Sequence, residues 1–201
     1  MNIHSYYMAR TIDNTKLEGI KLNAIKLIVE KGYGGASISS IAKKAKVAEG
    51  YLYRFYKSKE ELVSDLLNSK ISEIIDNLEE SIQKSSSFSE IIELLVKSIF
   101  RMAEKSSNDI KFLYVMMNDY SFTISSKVKE RIAILCKELM DKGKFLGQVD
   151  QLISEEEMYI FLVIYPIQFI NLRIKKFFGN SNWTNEDVDR LIGICNKSLK
   201  S

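Results

Sequence analysis

Proline and glycine are scarce in this sequence, whose 201 residues include one proline and nine glycines. Because these two residues most often end helices and form tight turns, their scarcity favours long helices. Histidine and cysteine are also rare, with His4, Cys136 and Cys195 as the complete set. This set excludes a disulfide framework, and it nearly excludes a zinc site or a histidine-based triad. We therefore predict that the protein binds no metal and needs no cofactor.

Signs of an enzyme are missing as well. Paired carboxylates, a phosphate-binding loop or an activated nucleophile would indicate catalysis, and none of these patterns stands out. An enzyme is therefore the class of function that the sequence favours least, and we predict no catalytic residues.

The overall composition is that of a soluble globular protein, with 46% hydrophobic and 27% charged residues. The length suffices to bury a sizeable core in one large or two small domains. Residues 1–16 contain no apolar stretch of the kind found in a signal peptide. We therefore expect a cytoplasmic protein.

Positive charge is concentrated near the N-terminus. Residues 1–66 hold 11 Lys and Arg against 7 Asp and Glu, a balance of +4. The remaining 29 − 11 = 18 basic and 26 − 7 = 19 acidic residues give −1. Such a local excess indicates a polyanionic partner, and a solvated lysine-rich face is the alternative interpretation.

Apolar residues recur with helical spacing along nearly the whole chain, and no segment alternates for long enough to predict a strand. The pattern predicts an all-α fold of about nine helices, with three short ones first. We expect the first helix to stop at Gly32 and Gly34, and a later helix, from about Ser125, to end at Gly143. The predicted N-terminal caps are Ser58, Ser87, Ser154 and Thr184.

The most apolar segment, residues 158–172, superficially resembles a membrane span. It is shorter than the roughly 20 residues that cross a bilayer, and Pro166, Gln168 and Asn171 interrupt it. We therefore predict a buried core or dimer helix and no membrane partner. Pro166 lacks a backbone N–H, so we expect it to kink or split this helix.

Aromatic and methionine residues are frequent in the second half of the chain. Core packing is the favoured interpretation for any one of them, but such side chains also line pockets for apolar ligands. The candidates for ligand binding are Phe100, Phe112, Met116, Tyr120, Tyr165 and Phe169.

Residues 37–56 show the pattern of two short helices that cross at a tight turn. A helical wheel places Leu52 and Tyr56 inward and Gly50, Tyr51 and Arg54 outward. Gly50 would let the backbone approach another surface closely. A short helix with this outward edge fits the major groove of DNA, and a plain helical hairpin is the alternative.

Residues 24–67 resemble the DNA-binding domain of TetR-family transcriptional regulators. The rest of the chain resembles the family only in its number of helices. The matching features are Glu-Lys-Gly-Tyr at 30–33, Ser-Ile-Ser-Ser-Ile-Ala at 37–42, Val47, Gly50, Leu52, Tyr53 and Ser-Lys-Glu-Glu-Leu at 58–62.

The resemblance implies a helix-turn-helix DNA-binding domain over residues 1–58 and an effector-binding and dimerisation domain over residues 59–201. It implies a homodimer that pairs through residues 154–178 and 184–199 and binds a palindromic site in double-stranded DNA. It further implies release by a small-molecule effector, and a repressor more often than an activator.

The resemblance also implies roles for single residues. Tyr53 and Lys59 match positions that hold DNA phosphates, and Ser37 or Ser39 is a weaker candidate for the same role. Base reading would belong to four residues of the second short helix, which are Glu49, Gly50, Tyr51 and Arg54.

Three positions depart from the family pattern. Lys46 stands where glycine is usual in the turn, so it must accept a left-handed backbone. Ala48 replaces a serine and has no side chain that can cap the second helix. Tyr56 replaces a phenylalanine. These departures leave the start of the second helix uncertain.

The sequence thus predicts a ligand-responsive DNA-binding regulator, most often a repressor, whose effector is mostly apolar or amphipathic. One alternative is an architectural DNA-binding protein on the same scaffold, without an effector. The other is a helical ligand-binding or interaction protein whose DNA-binding domain has degenerated.

Overall fold

The computed structural model describes residues 14–200. The expectations for His4 and for the N-terminal segment therefore lie largely outside the described residues. Within residues 14–200 the chain forms nine helices and no strand, which confirms the predicted all-α fold. They are α1 (Asn14–Gly35), α2 (Ile38–Lys44), α3 (Glu49–Leu52), α4 (Lys59–Lys84), α5 (Phe88–Lys105), α6 (Ser107–Asn118), α7 (Ser126–Phe145), α8 (Glu155–Ile174) and α9 (Asn185–Ser198).

The first three helices form a small unit around Ile41 and Leu52, whose side chains are fully buried. Helix α1 breaks at Gly32, where φ is 73°, as the sequence predicted. Helix α3 is a single turn, shorter than the predicted segment 49–56. It ends early because the N–H groups of Phe55 and Tyr56 both donate to the Leu52 carbonyl. Helix α1 also packs along α6 and joins this unit to the rest of the molecule.

Helix α5 lies at the centre of the larger helical body and contacts α4, α6, α8 and α9. The capping box predicted at Ser87 is wrong, because the Ser87 side chain makes no capping bond. The Phe88 N–H donates instead to the Gln148 side-chain oxygen, 3.1 Å away. Tertiary contact therefore replaces the local cap at this helix start.

Helix α7 continues past Gly143 to Phe145, contrary to the prediction that Gly143 ends it. Gly143 is buried, and a Cβ atom there would lie 2.3 Å from Cγ2 of Val149 and 2.9 Å from Cε2 of Phe88. The glycine thus permits a close helix-to-loop contact and does not end the helix.

Helix α8 is continuous through Pro166 and contains one π-helical turn, Ile160–Ile164. The Tyr165 N–H bonds to the Ile160 carbonyl, five residues earlier. This wider turn accommodates the proline ring, so the helix is neither split nor ended. By length and composition alone, α8 is the one described helix that could cross a membrane. Of its most apolar 18-residue stretch, 33% is buried inside the protein.

Candidate DNA-binding surface and effector cavity

Helices α2 and α3 with the start of α4 form the surface that carries the predicted DNA contacts. Glu49, Gly50, Tyr53 and Arg54 are exposed there, and Tyr51 is half-buried. No side chain or foreign backbone atom lies within 4 Å of the Cβ position at Gly50. The outward edge of α3 is therefore open to a large partner.

Arg54 and Tyr51 are held in a short stack on this edge. The Arg54 guanidinium carbon lies 5.7 Å from the Tyr51 ring centroid, and the Phe55 ring meets Tyr51 edge-on at 5.3 Å. Phe55 anchors Tyr51, and Tyr51 supports Arg54. A contact with a ring face leaves the N–H donors of the guanidinium available to a partner.

The two candidate serines of α2 differ in their surroundings. The Ser37 hydroxyl accepts a hydrogen bond from the Ser40 N–H at 3.1 Å, and the Ser40 hydroxyl interacts with the Ser37 backbone in return. Ser37 thus forms a capping box that begins α2. Ser39 is exposed. To bind a phosphate, the Ser37 hydroxyl would have to do so while it also caps α2.

Lys59, the first residue of α4, is half-buried against the end of α1. Its Nζ donates to the Tyr33 carbonyl at 2.9 Å and lies 3.9 Å from the centre of the Tyr33 ring. An ammonium group has three donors, so these contacts leave capacity for a phosphate. Tyr53 is 54% exposed.

The three departures from the family pattern each have a structural consequence. Lys46 has φ of 56°, the left-handed conformation that the sequence predicted. Ala48 precedes α3 without a side-chain cap, also as predicted. Tyr56 is buried, and its hydroxyl donates to Asp65 Oδ2 at 2.7 Å. Burial, and then this hydrogen bond, raises the pKa of Tyr56, so the tyrosine stays neutral.

An apolar cavity of about 60 Å³ lies among α4, α5, α6, α7 and α8. Helix α4, which begins on the DNA-binding surface, supplies one complete wall. The lining residues are Leu67, Ile71, Ile74, Ile75, Leu78, Leu95, Leu113, Met117, Ile124, Ile132, Leu135, Cys136, Tyr159, Val163 and Ile167.

None of the six residues predicted for ligand binding lines this cavity, and Phe100 lines a separate pocket between α5 and α9. Their role in ligand binding stays a prediction. Phe112 and Met116 are buried in the core, and Tyr165 is half-buried. Phe100 packs against Phe169 and Trp183 at ring distances of 6.1 and 5.5 Å. Tyr120 is fully exposed.

The actual lining is mostly Leu and Ile on helix faces that the sequence marks only as apolar. Helical spacing shows which residues turn inward, but it does not show which inward faces fail to meet. The sequence therefore held no signal that separated these residues from the rest of the core.

A pocket of about 330 Å³ adjoins the cavity and shares Ile124, Ile132, Cys136 and Tyr159 with it. Its outer residues include Lys129, Glu155 and Glu156. The pocket is thus a route to solvent with charged groups at its rim.

The two polar side chains at the boundary between cavity and pocket are neutral. Burial raises the pKa of the Cys136 thiol to about 11 and that of the Tyr159 hydroxyl to about 12. The Tyr159 hydroxyl faces the Met117 sulfur at 3.7 Å. A ligand would therefore meet no charge until it reaches the rim.

Within residues 14–200, no group of His, Cys, Asp and Glu side chains has the arrangement of a metal site.

Comparison with known proteins identifies the DNA-binding part first. Residues 23–66 match the family model for bacterial regulatory proteins of the tetR family. The chain is 27% identical over 107 residues to the fatty acid metabolism regulator protein of Bacillus subtilis. That match covers 53% of this chain and spans about half of the relative, 55%.

A longer match is to IcaR of Staphylococcus epidermidis, the negative transcriptional regulator of the biofilm operon icaADBC. It is 25% identical over 181 residues, which cover 89% of this chain and 96% of the relative.

Solved structures share the whole fold. A TetR family transcription regulator from Marinobacter aquaeolei VT8 has a TM-score of 0.78 at 17% identity, covering 93% of this chain and 96% of that one. FadR from Bacillus subtilis in complex with stearoyl-CoA has a TM-score of 0.69 at 18% identity, covering 92% and 98%. Residues 23–66 thus carry the DNA-binding segment of the tetR family, and the whole chain has the fold of solved TetR-family regulators.

Proposed function

We propose that this protein is a cytoplasmic repressor that binds a palindromic operator as a homodimer and is released by a mostly apolar small molecule. One observation carries the proposal: helix α4 begins on the DNA-binding surface at Lys59 and walls the apolar cavity from Leu67 to Leu78. A change in the cavity is therefore transmitted to the DNA-binding surface by a single rigid element.

The DNA contacts divide into positioning and reading. Lys59 and Tyr53 bind phosphates, as the N-terminus of α4 itself favours anions. The open backbone at Gly50 allows α3 to enter the major groove, and Arg54 then reaches base edges. We assign residues 1–58 to this DNA-binding domain and residues 59–201 to the effector and dimerisation domain.

The dimer pairs through α8 and α9. Apolar side chains on these helices remain exposed, with Ile160 at 45% and Ile194 at 39%. Two-fold pairing would cover them. It would also place two copies of α3 on one duplex, which a single four-residue helix needs for selectivity.

The effector is a compound with an aliphatic chain. The cavity offers neutral, apolar walls, and the matched fatty acid metabolism regulator and the FadR–stearoyl-CoA complex favour the same chemistry. A water molecule needs roughly 10–15 Å³, so about 60 Å³ holds only a few methylene groups. A long chain must therefore push the walls apart, and α4 moves with them.

This expansion is the source of the response. A ligand shifts an equilibrium only by its difference in affinity for the two states. A change from 1:99 to 99:1 needs roughly a 10⁴-fold preference. A cavity that is too small in the DNA-binding state supplies such a preference, because the ligand fits only the other state.

The DNA-binding part is tested by selecting duplexes from a random library and measuring affinity by fluorescence anisotropy at two salt concentrations. We expect Lys59→Ala to weaken binding of all selected duplexes and to lower the salt slope by about 1. Lys105→Ala, an exposed lysine at the end of α5, is the matched control. Failure of the wild-type protein to bind any duplex at low salt would favour a degenerate DNA-binding domain.

The effector part is tested by titrating the protein–DNA complex with stearoyl-CoA and with free fatty acids of increasing chain length. We expect release by at least one series. The variant Leu113→Phe fills the cavity and should block release while retaining DNA binding. Leu152→Phe, at a leucine that is 90% exposed, is the control. DNA binding that no aliphatic compound alters would support an architectural protein instead.

A further inference from the structure

The loop between α6 and α7 reaches from the cavity to the DNA-binding surface. We propose that Phe122 of this loop and Tyr33 of α1 are positioning residues that hold Lys59 for contact with a DNA phosphate. The inference rests on the proposed function and adds two residues to it that lie outside both the DNA-reading helix and the cavity lining.

Tyr33 lies between Phe122 and Lys59. The Phe122 and Tyr33 rings meet edge to face, with centroids 5.1 Å apart and planes at 66°. The Lys59 ammonium lies 3.9 Å from the centre of the same Tyr33 ring and also donates to the Tyr33 carbonyl. Phe122 is 7% exposed, so its ring is packed inside the protein where it contacts Tyr33.

This arrangement depends on the break in α1. Gly32 has φ of 73° and ψ of 169°, which turns Tyr33 out of the helical path. A backbone position with positive φ strongly favours glycine, because glycine has no Cβ atom. The Tyr33 carbonyl accepts the Ala36 N–H at 3.3 Å and the Lys59 ammonium at 2.9 Å.

A lysine side chain has several rotatable bonds and loses freedom when it binds a phosphate. Two contacts to Tyr33 already restrict the Lys59 ammonium, so less freedom remains to be lost on DNA binding. The nearby Asp119 is ionised, because hydrogen bonds from Ser121 and smaller effects of the Tyr33 amide and Lys59 lower its pKa.

The loop also connects this contact to the cavity. Met117 and Ile124, which flank Phe122 in the chain, both line the cavity. A ligand that pushes these two residues outward displaces Phe122 as well. The Lys59 side chain is then displaced by two routes, through α4 and through the Phe122–Tyr33 contact.

A double-mutant cycle tests the inference without an effector. DNA affinity and its salt dependence are measured for wild type, Phe122→Leu, Tyr33→Leu, Lys59→Ala and the two double variants that contain Lys59→Ala, on the duplex selected above. Leucine keeps an apolar side chain at the buried site and removes the ring edge. Tyr33→Leu is the second route to the same loss, and Tyr120→Leu, in the same loop but fully exposed, is the control.

We expect Phe122→Leu and Tyr33→Leu to weaken DNA binding by about two- to tenfold in the wild-type background and to have little effect when Lys59 is already alanine. Circular dichroism must show native helix content in each variant. An equal loss in both backgrounds would mean that Phe122 only stabilises the fold, and it would overturn the inference while the proposed function stands. Absence of DNA binding by the wild type would overturn both.

Discussion

Lys70 and Asp109 form an ion pair that ties α4 to α6, with 2.7 Å between Lys70 Nζ and Asp109 Oδ2. Asp109 is 6% exposed, and its second carboxylate oxygen is buried without a hydrogen-bond partner. Lys70 lies on the same helix as the cavity wall. This pair therefore fixes α4 at a charged contact beside the apolar cavity.

Removal of the lysine alone should be strongly destabilising, because it leaves a buried carboxylate without its counter-ion. We expect Lys70→Met to lower the free energy of unfolding by about 3 kcal/mol. The double variant Lys70→Met with Asp109→Leu should recover most of that loss. Urea unfolding of the three proteins checks both values, and an unchanged midpoint in Lys70→Met would contradict the prediction.

Gly143→Ala should be destabilising even though alanine favours helices. The new methyl group would lie 2.3 Å from Val149 and 2.9 Å from the Phe88 ring, closer than van der Waals contact allows. Overpacking of this kind costs about 1–3 kcal/mol. Val149→Ala in the same chain should restore part of the stability, and thermal unfolding of both variants measures it. If Gly143→Ala alone raised the melting temperature, the close contact would be disproved.

Gly50→Leu separates DNA binding from stability. The site has open space for a side chain and lies in a helix, so the variant should be as stable as wild type or gain up to about 0.8 kcal/mol. DNA affinity should fall at least tenfold, because the leucine would hold α3 away from the groove. Gly19→Leu, also at an open Cβ position, is the control. Retained DNA affinity in Gly50→Leu would place the interface elsewhere.

Asp187 should make stability depend on acid pH. Its carboxylate pairs with Arg190 and with Arg173 at 2.9 Å, and it accepts a bond from the Thr184 N–H. The Arg190 contact, followed by the Thr184 bond, lowers its pKa.

A lowered pKa stabilises the folded state at any pH above the unfolded value of about 3.9, and this stabilisation is lost as the pH falls through the folded value. Asp187→Asn should therefore be less stable than wild type at neutral pH, and the difference should narrow in acid. Asp189→Asn, exposed on the same helix, should show no such trend. A difference that stays constant with pH would refute the charge argument.

Cys136 should report occupation of the cavity. Burial keeps its thiol protonated near neutral pH, so alkylation by iodoacetamide should be slow and should accelerate as the pH approaches 11. A bound aliphatic compound should slow it further. Cys195, which is also buried but lies outside the cavity lining, is the internal control in the same peptide map. Equal protection of both thiols would indicate general stabilisation of the fold.

Local sequence determined most of the secondary structure. The serine and threonine caps at Ser58, Ser154 and Thr184 form as predicted, because a cap involves only four neighbouring residues. Lys46 adopts the left-handed conformation that the turn requires. The residues proposed for DNA contact could be selected from the sequence because they lie close together in the chain.

Tertiary structure decided what depends on distant neighbours. The sequence indicates a helix end at Gly143, but in the structure Val149 and Phe88 pack against this glycine within the helix. The sequence indicates a side-chain cap at Ser87, but in the structure Gln148 binds the Phe88 N–H. The cavity needs five helices to be placed in space, and its leucines and isoleucines look like any other core residues. Helical periodicity specifies which side chains face inward, whereas a void exists only where several inward faces fail to meet.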